Sequence, residues 1–189
     1  MMLSFRRRAL IGATFALPAV ARAQAQPTNP ENTLVMELKD GEVRILMLPE
    51  LAPRHVERMR TLTRQGFYNN TPFHRVMEGF MAQGGDPTGT GTGGSPLPDL
   101  PAEFVPASRA RFLRGTCGMA RAQNPNSANS QFFIMFAPAP FLDGQYTIWG
   151  RVVSGMEAVD KIKRGVGQSG MVPPPPDRIR RMRVAADIG

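Results

Sequence analysis

The sequence predicts a mainly β fold: a closed or nearly closed antiparallel β structure that carries two helices within one domain. Three observations carry this reading. From residue 67 onward the apolar runs are short ("TPFHRV", "GFMAQGG", "CGMARA", "SQFFIMF", "YTIWGRVV"), rich in aromatic and β-branched residues, and separated by glycine, proline and asparagine. None reaches the roughly 10 residues at which a helix becomes the better reading. Earlier, "TLVMELKDGEVRILMLP" sets Asp40-Gly41 between two strand-like segments, a strong hairpin signal. Finally, two stretches, 53–65 and 154–165, space apolar residues by three and read as helices.

The N-terminal residues stand apart from that domain. "MMLSFRRRALIGATFALPAVARA" has arginines at 6 to 8, an apolar run from Ala9 to Ala21, and Ala21-Arg22-Ala23 at its close. This is the pattern of an export signal, with cleavage expected after Ala23 and the periplasm as destination. The run is shorter than the roughly 20 apolar residues of a membrane span. Arg7-Arg8-Ala9-Leu10-Ile11 resembles a twin-arginine signal, and the general route stays open because ordinary signals also begin with arginines. Gln24 to Asn32 is polar and proline-containing, and reads as a flexible linker.

Within the domain, "PRHVERMRTLTRQ" (53–65) spaces Val56, Met59 and Leu62 by three, with proline in the first turn and Gly66 just beyond. It reads as an amphipathic helix with His55 on or near its outer surface. "SGMEAVDKIKRG" (154–165) carries Met156, Val159 and Ile162 at the same interval and reads as a second short helix. "MVPPPPD" is a stiff extended connector, and "RIRRMRVA" a final strand at the closing edge.

Composition narrows the function classes. The chain has 23 basic and 15 acidic residues, but the four arginines of residues 1–23 supply half of the net +8, leaving +4. Arg178, Arg180, Arg181 and Arg183 lie in a strand-like segment, where a solvated face is the ordinary reading, so nucleic acid is not an expected partner. Cys117 is alone, which excludes an intrachain disulfide, and its apolar surroundings mark a buried small hydrophobe. With two histidines and one cysteine, a structural zinc site is not expected.

The segment "FHRVMEGFMAQGGDPTGTGTGG" (73–94) invites two further readings, and neither holds. A phosphate loop runs from strand to glycine turn to helix, whereas these glycines run into "SPLPDLPAEF" with no lysine following. They fit tight turns and close backbone approach to a ligand instead. A serine hydrolase lacks its Gly-x-Ser-x-Gly. Period-two alternation puts Phe73 and Arg75 on one face and His74 on the other, so His74 is expected in packing with a structural hydrogen bond. The same alternation gathers Arg75, Phe80 and Gln83 around one unit, and sets Gln131 and Phe133 opposite Phe132. Polar and aromatic residues sharing a face suggest a cavity, since burying those polar groups unpaired is costly.

These stretches, together with Glu103-Phe104, Gly118-Met119-Ala120-Arg121-Ala122, Asn129-Ser130-Gln131-Phe132-Phe133-Ile134 and Phe141-Leu142-Asp143-Gly144, resemble the cyclophilin family of peptidyl-prolyl cis-trans isomerases, in particular its shorter-looped bacterial, exported type. The resemblance covers residues 33–186. It implies a closed eight-stranded antiparallel barrel capped by two α-helices, with peptide bound in a surface groove. Arg75 matches the catalytic arginine, and Gln83 the glutamine that orients peptide and arginine. Phe80, Met81, Phe133 and Leu142 match the wall of the proline pocket. Ala120, Arg121, Ala122 and Gln131 match the strip that binds residues flanking the proline.

Two positions depart from the eukaryotic pattern. Phe141 stands where many members have a tryptophan whose indole donates to cyclosporin, and Tyr146 where they have a histidine at the rim. Neither residue is asked to transfer a proton, so isomerisation is expected and cyclosporin binding is expected to be weak. Trp149 matches a packing position. The implied partners are proline-containing polypeptides and unfolded exported proteins, handled by a monomer with no cofactor and no metal. The alternative is a peptide-binding chaperone or scaffold of the same fold with little turnover.

Overall fold

The computed structural model describes residues 29–188, so the expected export signal lies outside the described residues. Eight strands form one antiparallel sheet in the order β3-β4-β6-β5-β7-β2-β1-β8. β1 (Thr33–Leu38) and β2 (Gly41–Met47) form the expected hairpin, paired from Thr33↔Leu46 to Leu38↔Gly41. Its two linking residues are Lys39 and Asp40, one position earlier than Asp40-Gly41, and Gly41 takes a φ of +146° that L side chains rarely adopt.

β3 (Arg75–Met77) and β8 (Arg181–Val184) end that order without a ladder between them, and the chain around β3 is joined instead to the segment leading into β8 by irregular backbone bonds. Asn70 N–H donates to Ile179 O at 2.7 Å, Phe73 N–H to Asp177 O at 2.9 Å and Val76 N–H to Gly170 O at 2.8 Å. Edge groups that would template pairing with another chain are thus used inside the barrel.

α1 (Pro53–Arg64) buries Val56, Met59 and Leu62, as their spacing predicts. His55 differs from expectation: it is fully buried, and its ring Nδ1 lies 2.6 Å from Glu103 Oε2. The reason is capping. Ala52 offers no side-chain cap, and Glu103, far along the chain, accepts instead from the N–H groups of Arg54 (3.1 Å) and His55 (3.0 Å). Periodicity on one helix does not reveal a partner brought from a distant loop.

The second helix is shorter than its periodicity suggests. α2 spans Met156–Val159 only. Beyond it Asp160 pairs with Arg114, and Lys163 N–H donates to Asp177 at 2.7 Å, drawing the chain off the helical path. The proline connector contains a cis Pro174–Pro175 bond and is not uniformly extended. The expected linker is tied down at its end: Pro30–Asn32 form a 3-10 turn whose Glu31 pairs with Arg64.

Alternation along β4 (Met81–Gly84) and β6 (Phe132–Met135) divides two apolar clusters. Ala82, Phe132 and Ile134 enter the main core with Phe73, Leu34, Met59 and Trp149. Met81, Phe133 and Met135 enter a smaller cluster with Phe112, Leu142 and Ile148 on the other face. Phe73 is therefore in the core, edge-on to Phe132 at 6.4 Å, and does not share Arg75's face. The regular strand begins only at Arg75, so period-two counting cannot be carried back to Phe73. Trp149 is fully buried and packs edge-on against Phe132, and Cys117 is buried with its thiol pKa pushed up by burial.

Candidate functional site

The ladder registers align a row of four residues. Arg75 is opposite Gln83, Gln83 opposite Phe133, and Phe133 opposite Gly118 of β5 (Thr116–Met119). Directly paired residues of neighbouring strands project from the same face. A guanidinium, an amide and an aromatic ring therefore stand side by side, and the fourth position has no side chain. A Cβ at Gly118 would overlap the rings of Phe133 and Phe112. Those rings stack at 5.7 Å, and Tyr146 meets Phe133 edge-on at 5.8 Å, so the Phe133 ring is fixed from two sides.

Beside this row lies a cavity of about 500 Å³, within the usual size for a binding site. It brings together ten of the twelve candidate residues: Arg75, Phe80, Met81, Gln83, Ala120, Arg121, Phe133, Phe141, Leu142 and Tyr146. Met81, Phe133 and Leu142 are buried in its wall, while Phe141 stays exposed at the rim with its ring 5.6 Å from that of Phe80. Ala122 and Gln131 lie outside it. They line an adjoining cavity of about 570 Å³ against Gly91 to Ser95, and the two cavities share Gln83, Ala120 and Arg121.

Arg75 is held by three acceptors. Its Nε donates to Ser169 O at 2.9 Å, Nη1 to Gln83 Oε1 at 3.3 Å and Nη2 to Met77 Sδ at 3.0 Å. Gln83 in turn donates to Gln131 Oε1 at 2.9 Å, and Gln131 to the carbonyls of Gly91 (2.9 Å) and Gly93 (2.8 Å). A relay of amides thus runs from the glycine loop to the guanidinium.

The loop is itself wound on Asp86. That buried carboxylate accepts from the N–H and hydroxyl of Thr88 (both 2.8 Å), Gly91 N–H (2.7 Å) and Gly93 N–H (3.1 Å). Burial opposes its charge, but Thr88 and the glycine amides outweigh that and hold the carboxyl below the usual carboxylate range. The loop amides of Gly91 and Gly93 thus point inward to Asp86 rather than outward to a ligand anion.

His74 is buried as expected, but neither ring nitrogen has a hydrogen-bond partner among the described residues, so the expected structural bond is not made. Burial pushes its pKa down, which keeps the ring neutral. Among the described residues no group of three or more His, Cys, Asp or Glu is placed to hold a metal ion, and no helix is long and apolar enough to cross a membrane.

Sequence reasoning missed Ser169, Met77 and Phe112. Ser169 and Met77 contact Arg75, while Phe112 backs the Phe133 ring. Ser169 acts through its carbonyl, which any residue carries, so its identity holds no signal. The role of Gly118 was also missed, although it lies inside a quoted motif and a glycine facing two phenylalanines was its clue.

A family model described as cyclophilin type peptidyl-prolyl cis-trans isomerase/CLD matches residues 33–184. A probable peptidyl-prolyl cis-trans isomerase of Brucella suis is 51% identical over 197 aligned positions, covering 98% of this chain and 99% of that protein. Among solved structures, a cyclophilin from Hirschia baltica superposes with a TM-score of 0.74 at 27% identity, over 86% of this chain and 77% of that one. A cyclophilin type peptidyl-prolyl cis-trans isomerase of Cryptosporidium parvum, crystallised in the presence of the dipeptide Ala-Pro, gives a TM-score of 0.72 at 30% identity, over 80% and 98% of the two chains.

Proposed function

The chain belongs to the cyclophilin-type peptidyl-prolyl cis-trans isomerases, and on that premise we propose that Arg75 supplies the catalytic hydrogen bond of an isomerase that serves exported proteins. The activity of the family is rotation about Xaa-Pro bonds in proline-containing polypeptides. The barrier is amide resonance, about 18–20 kcal/mol, and uncatalysed events take tens to hundreds of seconds. As the bond leaves planarity, the proline nitrogen becomes pyramidal and its lone pair can accept a hydrogen bond.

A guanidinium suits that acceptor because it is always charged and has several N–H donors in a fixed fork. The bond it makes strengthens as resonance is lost, so it favours the transition state over the ground state. In this reading Phe80, Met81, Phe133 and Leu142 hold the proline ring, and Gln83 keeps the guanidinium aimed. Ala120, Arg121, Ala122 and Gln131 seat the flanking peptide, with Phe141 and Tyr146 at the rim. Nothing in the step breaks a bond or needs a nucleophile.

The observation that carries the reading is the placement of Arg75 beside Phe133 and Gln83 on one row at the edge of one cavity. Refolding of a protein limited by a slow prolyl phase tests it: the wild type accelerates the phase and Arg75→Ala loses most of the effect. Equal acceleration by both proteins would remove Arg75 from the mechanism, and none by either would favour the scaffold reading.

The export proposal rests on the arginines and short apolar run of residues 1–23. It places the enzyme in the periplasm, assisting the folding of exported clients. N-terminal sequencing from fractionated cells should find a chain beginning at Gln24. A soluble cytoplasmic protein retaining residues 1–23 would refute it. Replacing Arg7 and Arg8 together with lysine decides the route, since unchanged transport would favour the general pathway.

A further inference from the structure

Arg121 contributes a backbone strip to the proposed substrate groove, but its side chain has a geometry of its own. The guanidinium carbon sits 4.5 Å from the centroid of the Tyr146 ring and 5.9 Å from that of Phe104. Nη1 donates to Ala122 O at 2.9 Å and to Gln123 O at 3.2 Å, and Nη2 to Gln145 O at 3.0 Å. Its Nε is buried with no partner among the described residues. Carbonyls and an aromatic face thus fix the group, while no carboxylate among the described residues pairs with it: of these residues, two arginines and no acid line the cavity beside it.

Arg121 also lines the adjoining glycine-loop cavity, so a peptide passing from one cavity to the other must cross it. That second cavity does carry an acid, Asp99, which accepts from Asn129 Nδ2 at 3.0 Å. An acid therefore offsets the positive charge on the glycine-loop side of Arg121, and none does on the other side. From this we infer that Arg121 is a specificity-determining residue that selects substrates with an aspartate or glutamate immediately beside the proline, and not one placed deeper in the glycine-loop cavity. The inference rests on the proposed reading of the cavity as the proline site, and deepens it by naming the substrate class. The preference is electrostatic, so it weakens with salt.

The test uses peptides with glutamate, glutamine or lysine at each position flanking a single proline, and at the next position out. Glutamine is the neutral isostere, and the Glu/Gln ratio of kcat/KM is read within one protein, independent of its absolute activity. For the wild type at low salt we expect a ratio of about five at one flanking position and near one farther out, the size of a half-exposed ion pair. At about 1 M salt, where the Debye length is about 3 Å, the ratio falls towards one. Arg121→Met brings it to one at low salt, Arg121→Lys retains part of it, and Arg121→Glu reverses the order in favour of lysine. A wild-type ratio of one with the glutamine peptide turned over normally overturns this inference and leaves the isomerase reading standing. A ratio that survives in Arg121→Met overturns the assignment to Arg121. Failure of the wild type to turn over any peptide overturns both readings.

Discussion

Arg75 Nε donates to the carbonyl of Ser169 at 2.9 Å, a bond that joins residues 94 positions apart. Ser169 sits in a small turn fastened to β3 by Gly165 N–H donating to Val76 O and Val76 N–H to Gly170 O, each at 2.8 Å. A Cβ at Gly165 would overlap the carbonyl of Gly170, so the Ser169–Gly170 segment must move if Gly165 becomes alanine. A hydrogen bond from a charged donor contributes about 1.5–3 kcal/mol, so kcat/KM of Gly165→Ala should fall about tenfold or more. Peptide affinity should change much less, because the apolar wall is untouched. Activity within twofold of wild type, in a protein whose urea midpoint has shifted, would show that Ser169 does not aim Arg75.

Gly118 sits under Phe133, and the predicted effect of filling that space is on binding. Gly118→Ala should push the Phe133 and Phe112 rings aside and shrink the cavity proposed to take the proline, at about 1–3 kcal/mol for overpacking. Peptide KM should rise severalfold while the chain still folds. An unchanged KM would mean that the ring repacks without narrowing the cavity.

Acidification should destabilise the fold through its histidines. Burial lowers the pKa of both His55 and His74 from the ordinary 6.5, although Glu103 opposes it at His55 and Asp86 at His74. The unfolded chain therefore binds protons that the folded one refuses. The stability from keeping these rings neutral is whole above about pH 6.5, and is lost as pH falls from there through the folded values. His74→Leu removes one such group, together with two unpaired buried nitrogens. It should leave stability at pH 7.5 within about 1 kcal/mol of wild type, or raise it, and flatten the decline on acidification. Urea titrations at pH 7.5 and at about pH 5, below the ordinary histidine value, check this; an equally steep decline would remove His74 as a source.

Cyclosporin should bind weakly. Phe141 is 68% exposed at the rim, and its ring offers no N–H to a carbonyl of the drug. A hydrogen bond left unmade to a group that becomes buried costs about 1–3 kcal/mol, roughly tenfold to a hundredfold in affinity. Phe141→Trp should recover that factor, with peptide turnover measured in parallel. Equal affinity of both proteins would shift attention to Tyr146 or the glycine loop.

Much of the fold was legible because its signals are local. The β1–β2 hairpin follows from alternation around Asp40-Gly41, and the buried face of α1 from the spacing of Val56, Met59 and Leu62. The split between Phe132 in the core and Phe133 in the cavity follows from period two on a regular strand. The errors arise where a distant group intervenes or a regular strand begins later than the pattern suggests. Glu103 caps α1 and draws His55 inward, Asp177 and Arg114 help to end α2 early, and the late start of β3 sends Phe73 into the core. In the site, motifs located Arg75, Gln83, Phe133 and their named neighbours along the cavities, but not Gln145, Asp99 or Ser127, nor the Ser169 carbonyl that holds Arg75.

Arg75, as proposed, acts on the rotating bond and not merely on peptide affinity. Exchange spectroscopy of a single-proline peptide, recorded with wild type and with Arg75→Ala, measures the rotation rate of the bound peptide and its dissociation constant separately. Removing a preorganised donor to a developing lone pair should slow rotation about a hundredfold or more. The dissociation constant should stay within a few-fold, since the cavity keeps Phe80, Met81, Phe133 and Leu142. Rotation of the bound peptide at the wild-type rate in Arg75→Ala would contradict the account, whatever happened to affinity.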